Sequence, residues 1–277
     1  PSWWRRTLLK TATEKLKYEV NCYDRCILTL PAEESKRGSP GALSDGFIVI
    51  EVDDIAEAGG PRHLEKMKQL ESMLTFGKVE NLQSAEGTNY AGRHLRQLPD
   101  FSFEITMEEF IYTRLEPILS HKKVLKKHAA ETQLNESEKT QLRGLIASLN
   151  WVSREGRPDA SSAASILASS FPNPTMEHVH AANEVVKHLK TFPVTLRIHA
   201  IPESQLRLVL IADSAFDTSG REKSQHGWLL GFTNPLLNRG EPAPISLIQW
   251  RSKRLRRKAS SSLLCEAISM SAATGAL

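Results

Sequence analysis

The chain has 277 residues, more than one domain usually contains, so two or three compact units are expected. With 40% hydrophobic and 25% charged residues it has the composition of a globular protein, which excludes a disordered or collagen-like chain. The sequence contains no run of about eighteen apolar residues, so no membrane span is predicted. The net charge of +4 and the pI near 9.0 permit contact with a polyanion.

The cysteine pattern favours a reducing compartment. Cys22, Cys26 and Cys265 cannot all pair within one chain. The spacing of Cys22 and Cys26 is a poor zinc signal because no second pair of ligands stands near it. The first seventeen residues contain no long apolar run that ends in a small-residue cleavage site, so a secretory signal is not predicted.

The first part of the chain alternates between helical and strand patterns. A polar loop rich in Pro, Gly and Ser covers 31–46, and Gly59-Gly60-Pro61 separates a strand pair from the helix that follows. Helices are predicted over 3–18, 62–76 and 107–119, and strands over 26–30, 47–52, 90–95 and 101–105.

Two adjacent aspartates, Asp53 and Asp54, follow directly on the apolar strand 47–52. Like charges at that position are costly unless a cation balances them, and hard carboxylate oxygens suit magnesium. Two such ions stabilise both oxygens of a phosphoryl displacement. The alternative is an ordinary hairpin turn, because aspartate is a common turn residue.

The middle third is helical, with helices predicted over 137–152, 160–169 and 176–189 and with Ser137 and Thr175 as their caps. Gly144 and Ala147 are expected to allow close helix approach. His178, His180 and His188 are interpreted as surface or packing residues, since 178 and 180 point to different faces of one helix.

The last third turns to strands, predicted over 194–200, 206–213, 228–233 and 245–250, and a final helix begins near Ser261. Three strands followed by a helix predict an antiparallel meander on which the helix packs. A basic window precedes the helix and is a nucleic-acid contact, a solvated loop or a localisation-like basic run. Its cations are Arg251, Lys253, Arg254, Arg256, Arg257 and Lys258.

The segment 48–55 resembles the Tyr-Val-Asp-Asp palm signature of reverse transcriptases, in particular those of copia-type retrotransposons. This resemblance implies that Asp53 and Asp54 are the second and third members of a metal-binding triad. Glu51 stands where the family has Tyr, and the first aspartate of the triad is expected upstream of this chain. The surrounding matches are Trp3-Trp4, Asp24-Arg25-Cys26, Phe76-Gly77 and Tyr90-Ala91-Gly92.

The stretch 141–190 resembles the connection that follows the copia polymerase. Its anchors recur in order over 141–151, in Gly156-Arg157-Pro158-Asp159, and over 173–178 and 181–190. The role implied for it is structural. Arg157-Pro158-Asp159 is expected to start a helix, with Pro in the first turn and Asp near the positive end.

The segments 213–217, 221–228, 250–253 and 261–267 resemble the opening half of the copia RNase H domain. By this resemblance Asp213 is the first catalytic aspartate and Glu266 the second catalytic carboxylate, and both hold Mg²⁺ or Mn²⁺ in a two-metal site. For Glu266 the alternative is a solvated helix residue. The family's next aspartate is expected beyond Leu277, so both carboxylate sets are expected to be incomplete and to bind metal weakly.

The sequence therefore predicts a mixed α+β and α/β chain: part of a reverse transcriptase palm (1–122), a helical connection (123–200) and a partial RNase H-like fold of a three-stranded meander plus helix (201–277). Its expected partners are RNA–DNA hybrid, template-primer and the remaining segments of the polyprotein, with no membrane contact and a cytoplasmic location. The alternatives are a catalytically inactive nucleic-acid-binding remnant and an unrelated helical scaffold.

Overall fold

The structure is a computed structural model that describes residues 2–33, 44–52, 54–119, 128–216, 224–255 and 259–275. The chain divides into two compact units, Pro1–Asn81 and Leu82–Leu277. Over the described residues the fold is mixed α+β, with three antiparallel sheets and seven α-helices, so the predicted mixture is confirmed at that level. None of the helices in these ranges is long and apolar enough to cross a bilayer.

The first unit is a four-stranded antiparallel sheet with helices on one face. Helix α1 (Ser2–Lys10) continues into a π-helical turn (Thr11–Lys15), and α2 (Pro61–Met73) follows the sheet. The sheet order is β1-β2-β3-β4. Its strands are β1 (Glu19–Val20), β2 (Ile27–Pro31), β3 (Ser44–Glu51) and β4 (Asp54–Gly59).

Strand alternation builds the core of this unit. Ile48 and Ile50 of β3 are buried beside Leu28 and Leu30 of β2, because every second side chain points to the helix-covered face. Leu8 of α1 completes the layer.

A fully buried histidine, His63, fastens α2 to the sheet. Its ring packs against Gly46 and Gly59, which are direct partners across β3 and β4, where any Cβ would lie 2.4–2.5 Å from the histidine. The hydroxyl of Tyr18 lies 2.9 Å from Nδ1, and the Glu57 carboxylate pairs with Nε2. Burial, followed by the Glu57 charge, raises the pKa of Tyr18 to about 12.

The second unit combines a helical cluster with two sheets. One sheet has the order β5-β6-β7-β8 and the other the order β11-β10-β9. The strands are β5 (Thr88–Tyr90), β6 (Arg93–Gln97), β7 (Phe103–Thr106), β8 (Leu196–Ile198), β9 (Arg207–Ala215), β10 (Gln225–Thr233) and β11 (Ser246–Arg254). The helices are α3 (Glu108–Arg114), α4 (Glu136–Glu155), α5 (Ser161–Ala168), α6 (Met176–Thr191) and α7 (Ser262–Thr274).

The helices of the cluster begin at side-chain caps. The α4 cap is Asn135 in a capping box with Glu138, so the prediction of Ser137 is wrong by two positions. Asn135 is the cap because its amide oxygen accepts a hydrogen bond from the Glu138 N–H at 2.9 Å, and the Glu138 carboxylate accepts one from the Asn135 N–H. The predicted cap Thr175 of α6 is confirmed, with His178 closing the box.

Arg157 is the largest fully buried side chain of the molecule. Its guanidinium donates to both carboxylate oxygens of Asp159, at 2.9 and 2.8 Å, and to the main-chain oxygen of Leu189 at 3.1 Å. The pair therefore ties the turn after α4 to the end of α6. A 3-10 turn over Pro158–Ala160 precedes α5, so the α-helix begins at Ser161, one residue after the predicted start at 160.

Three further expectations are corrected. The predicted strand 90–95 is broken by a tight turn at Ala91 and Gly92, both with positive φ, so it forms the facing ends of β5 and β6. Gly144 lies on an exposed face of α4, and a Cβ there would meet nothing within 4 Å, so it makes no close helix contact. The helix predicted over 107–119 ends at Arg114.

Candidate functional site

The β3–β4 hairpin carries the predicted aspartate pair. Glu51 pairs directly with Asp54, so the chain reverses over two residues and leaves the Asp54 carboxylate exposed at the tip. Asp53 lies outside the described residues. Val52 has a φ of +52°, which is rare for a β-branched residue and is the kind of strain that often occurs at functional turns.

Asp213 lies on β9, opposite Gly227 of β10. Its carboxylate is exposed, and Oδ1 accepts a hydrogen bond of 2.8 Å from the main-chain N–H of Ser214. The predicted strand end is therefore two residues early, since β9 continues to Ala215. An exposed carboxylate on a strand can take a cation without the cost of desolvating a buried charge.

Helix α7 brings Glu266 toward the same strand. The Ser261 side chain caps the helix by accepting from the Leu264 N–H at 3.2 Å, and Glu266 follows in the next turn. The fully buried Ser269 hydroxyl donates to the main-chain oxygen of Asp213 at 2.8 Å and contacts that of Gly227 at 3.3 Å. Because residues three apart are neighbours on a helix surface, Glu266 lies one turn from this contact.

The Asp213 side chain and the helix that carries Glu266 lie on opposite faces of β9. Leu210 and Ala212 of β9 pack with Ala273 of α7, so the side chain of Asp213, one residue on, starts from the opposite face. Glu266 itself is exposed. Within the described ranges, no group of three or more His, Cys, Asp or Glu side chains is arranged to hold a metal ion.

Carboxylate oxygens nevertheless match the ligand preference of Mg²⁺, which is commonly held by one or two carboxylates and takes its other ligands from water and substrate phosphate. Asp213 and Glu266 supply that donor chemistry on two elements that pack together.

The basic window is part of a strand, and alternation divides it. Arg251 and Lys253 lie opposite Trp228 and His226 on the face that α7 covers. Arg254 points to the other face, where it donates to the Ser169 hydroxyl at 2.9 Å. These three cations lie on a strand and not in a loop, and Arg251 is exposed to solvent, while Arg256, Arg257 and Lys258 lie outside the described residues.

His226 is a feature of this site that the sequence did not reveal. It is buried between Ser214 and Lys253 on the neighbouring strands, and within the described part of the chain its Nδ1 has no hydrogen-bond partner. Burial, with the charges of Arg251 and Lys253 adding to it, lowers the pKa of His226. The imidazole therefore stays neutral in the folded protein at pH 7.

We expect His226 to make the second unit acid-sensitive. The unfolded chain binds a proton near the ordinary pKa of 6.5, before the folded chain does, so stability is full above that pH and falls below it. Hydrogen exchange in β10 measures the stability that is lost between pH 7 and pH 5. In His226→Gln this loss should be smaller than in the unmodified chain, by up to about 1.4 kcal/mol per pH unit. His128→Gln, which changes an exposed histidine of the same unit, should leave the profile unchanged.

Comparisons with protein-family models, with curated proteins and with solved structures gave no match to this chain.

Proposed function

We propose that the chain is part of a copia-type reverse transcriptase and RNase H, and that its second unit binds RNA–DNA hybrid with Asp213 and Glu266 as metal ligands. The observation that carries the proposal is the Ser269 contact, which fixes the helix of Glu266 to the main chain of Asp213. An antiparallel meander with one helix packed on it supports the same assignment.

In this proposal the metal ions, Mg²⁺ or Mn²⁺, activate water and neutralise the leaving oxygen of the RNA strand. The residues of the chain do the rest. Asp213 and Glu266 provide negative oxygens, and Arg251 and Lys253 contact backbone phosphates, which gives affinity without sequence specificity.

The polymerase part of the proposal depends on Asp53 and Asp54. Its support is the exposed Asp54 carboxylate at the tip of a strained two-residue hairpin that extends from a buried strand. Cleavage of hybrid is the sharper test of the whole proposal, because both carboxylates of the second unit are described.

A second candidate is a remnant that binds hybrid and does not cleave it. Strand alternation favours it, since Asp213 starts from the face of β9 opposite α7 and Glu266. Binding depends on the cations of β11 and not on the carboxylates, so the two activities can be separated experimentally.

The test is cleavage of a labelled RNA–DNA hybrid with Mg²⁺ or Mn²⁺, alongside a binding assay on the same substrate. We expect Asp213→Asn and Glu266→Gln each to lower the cleavage rate at least about 100-fold, because loss of even an outer-shell metal partner costs about 10–100-fold. Glu241→Gln, which changes an exposed glutamate of the same unit, serves as the matched control.

Arg251→Gln and Lys253→Gln should weaken binding to all hybrid sequences and lower the salt dependence by about one unit for each lost phosphate contact. Binding with no cleavage by the unmodified chain would favour the inactive remnant. Failure to bind hybrid, or cleavage that survives in Asp213→Asn, would contradict both candidates.

A further inference from the structure

The loop between β1 and β2 places two cysteines next to one closing hydrogen bond. The Asn21 N–H donates to the Ile27 oxygen at 2.9 Å, so the five-residue loop begins with Cys22 and ends with Cys26. The Asn21 side chain accepts from the N–H groups of Tyr23 and Asp24, which keeps the loop compact. Cys22 is exposed and Cys26 partly exposed, while Cys265, the remaining cysteine, is buried.

Arg5 of α1 contacts the sulfur of Cys26. Its Nη2 lies 3.3 Å from Sγ and 3.5 Å from the main-chain oxygen of Arg25, and its buried Nε has no partner among the described residues. A guanidinium stays protonated in proteins, and over the described ranges Arg5 makes no ion pair with a carboxylate. In this part of the chain, the Cys26 sulfur is therefore the side-chain group that the Arg5 guanidinium contacts. A partly exposed sulfur beside a cation is the setting typical of reactive cysteines.

We propose that this loop is a peroxide-reactive thiol site, with Cys26 as the cysteine that attacks and Cys22 as the cysteine that resolves. The Cys26 thiolate attacks one oxygen of hydrogen peroxide and the O–O bond breaks. Hydroxide departs and takes up a proton to become water, and Cys26 becomes a sulfenic acid. The Cys22 sulfur then bonds to the Cys26 sulfur, and the sulfenic oxygen leaves as water with the thiol proton. Two thiols lose two electrons, and one peroxide is reduced to two waters.

The loop can close this bond with little rearrangement. A disulfide needs Cα atoms about 4.4–6.8 Å apart, and both cysteines adjoin residues whose main chains are hydrogen-bonded to each other. The three residues between them lie on the surface, so their movement costs little packing.

We expect oxidation of Cys26 to perturb the neighbouring strand β3. The main-chain oxygen of Cys26 accepts from the Ile50 N–H at 2.8 Å, and Ile50 pairs across the hairpin with Ile55, the residue after Asp54. The thiol site stands on its own contacts and does not depend on the proposed function.

The experiment treats the full chain with graded hydrogen peroxide, alkylates the remaining thiols and digests with trypsin. Trypsin cuts after Arg25, between the two cysteines, so the disulfide joins the peptides 18–25 and 26–36 into one diagnostic species. We expect this species to form first and to disappear on reduction, while Cys265 stays alkylatable only after unfolding. A Cys22→Ser variant should instead accumulate sulfenic acid on Cys26, detected with a dione probe.

The role of Arg5 is tested by the rate of Cys26 oxidation in Arg5→Gln, which should fall about tenfold, the size expected for one hydrogen bond to a charged group. Arg5→Lys should recover part of the rate, and Arg6→Gln, which changes an exposed arginine of the same helix, should not alter it. Oxidation that starts at Cys22, disulfides formed only between two chains, or a rate unchanged in Arg5→Gln would overturn the proposal.

Discussion

Asp159→Asn is expected to lower the unfolding free energy of the second unit by about 3–5 kcal/mol, the cost of breaking a buried ion pair from one side. The Arg157 side chain is only 1% exposed, so its charge keeps no access to water when the carboxylate is lost. Burial alone would raise the pKa of Asp159, but the hydrogen bond and charge of Arg157 outweigh burial and hold it below its ordinary value. The stabilisation is therefore present above the ordinary pKa of 3.8 and is lost as pH falls through the lowered value.

The measurement is the denaturant dependence of hydrogen exchange in peptides of α4 and α6, which reports on this unit alone. Glu136→Gln is the matched control, since it removes the carboxylate of a solvent-screened pair with Lys139 and should leave the unfolding free energy nearly unchanged. Combining Asp159→Asn with Arg157→Met should recover part of the loss by removing the unpaired charge. Equal effects of Asp159→Asn and Glu136→Gln would show that the buried pair contributes no more than a surface pair.

Gly46→Ala is expected to destabilise the first unit by about 3 kcal/mol, at the upper end for overpacking a core. The added Cβ would lie 2.4 Å from Cγ and Nδ1 of the His63 ring, which Tyr18 and Glu57 hold in place from both sides. Relief requires α2 to move away from β3, so exchange protection should fall in both elements. Hydrogen exchange in β3 and α2 measures this directly.

Gly77→Ala is the control for this change, because its Cβ would meet nothing within 4 Å. The clash can be isolated with His63→Gly, which removes both the ring and the Cβ of residue 63, the atoms that the new methyl group strikes at 2.4 and 2.6 Å. Adding Gly46→Ala to His63→Gly should then cost less than about 1 kcal/mol, a large coupling for two residues in contact. A full cost in that background would mean that the loss comes from the backbone of β3 and not from the histidine.

Periodicity in the sequence predicted most of the element types, because alternating and helical patterns follow directly from which face is buried. The strand before the aspartate pair is an example: a strand was predicted over 47–52, and β3 covers Ser44–Glu51 with Ile48 and Ile50 buried. Boundaries were less predictable. The break at Ala91-Gly92 depends on positive φ at two residues, and the α4 cap depends on which of two nearby side chains reaches the free N–H groups.

The resemblance implied a site shared by Asp213 and Glu266, but not how the fold joins their two elements. The sequence indicated Asp213 and Glu266, but the contact that joins their elements belongs to Ser269, a small residue within a run of small residues. The sequence did not predict the burial of His226. Its burial depends on strand pairing with Ser214 and Lys253, and pairing partners that are far apart in sequence leave no local pattern.

The meander and the helical cluster share polar contacts that have a consequence for modularity. The Trp250 indole donates to the Ser153 oxygen at 2.6 Å, the Gln225 amide to the Ser165 hydroxyl at 3.1 Å, and Arg254 to Ser169. The acceptors of all three hydrogen bonds belong to α4, to α5 or to the residue after α5. A meander transplanted without these helices would expose an indole, an amide and a guanidinium that lack their partners. The two parts are therefore portable as one block, and a recombination joint between α6 and β9 would separate these partners.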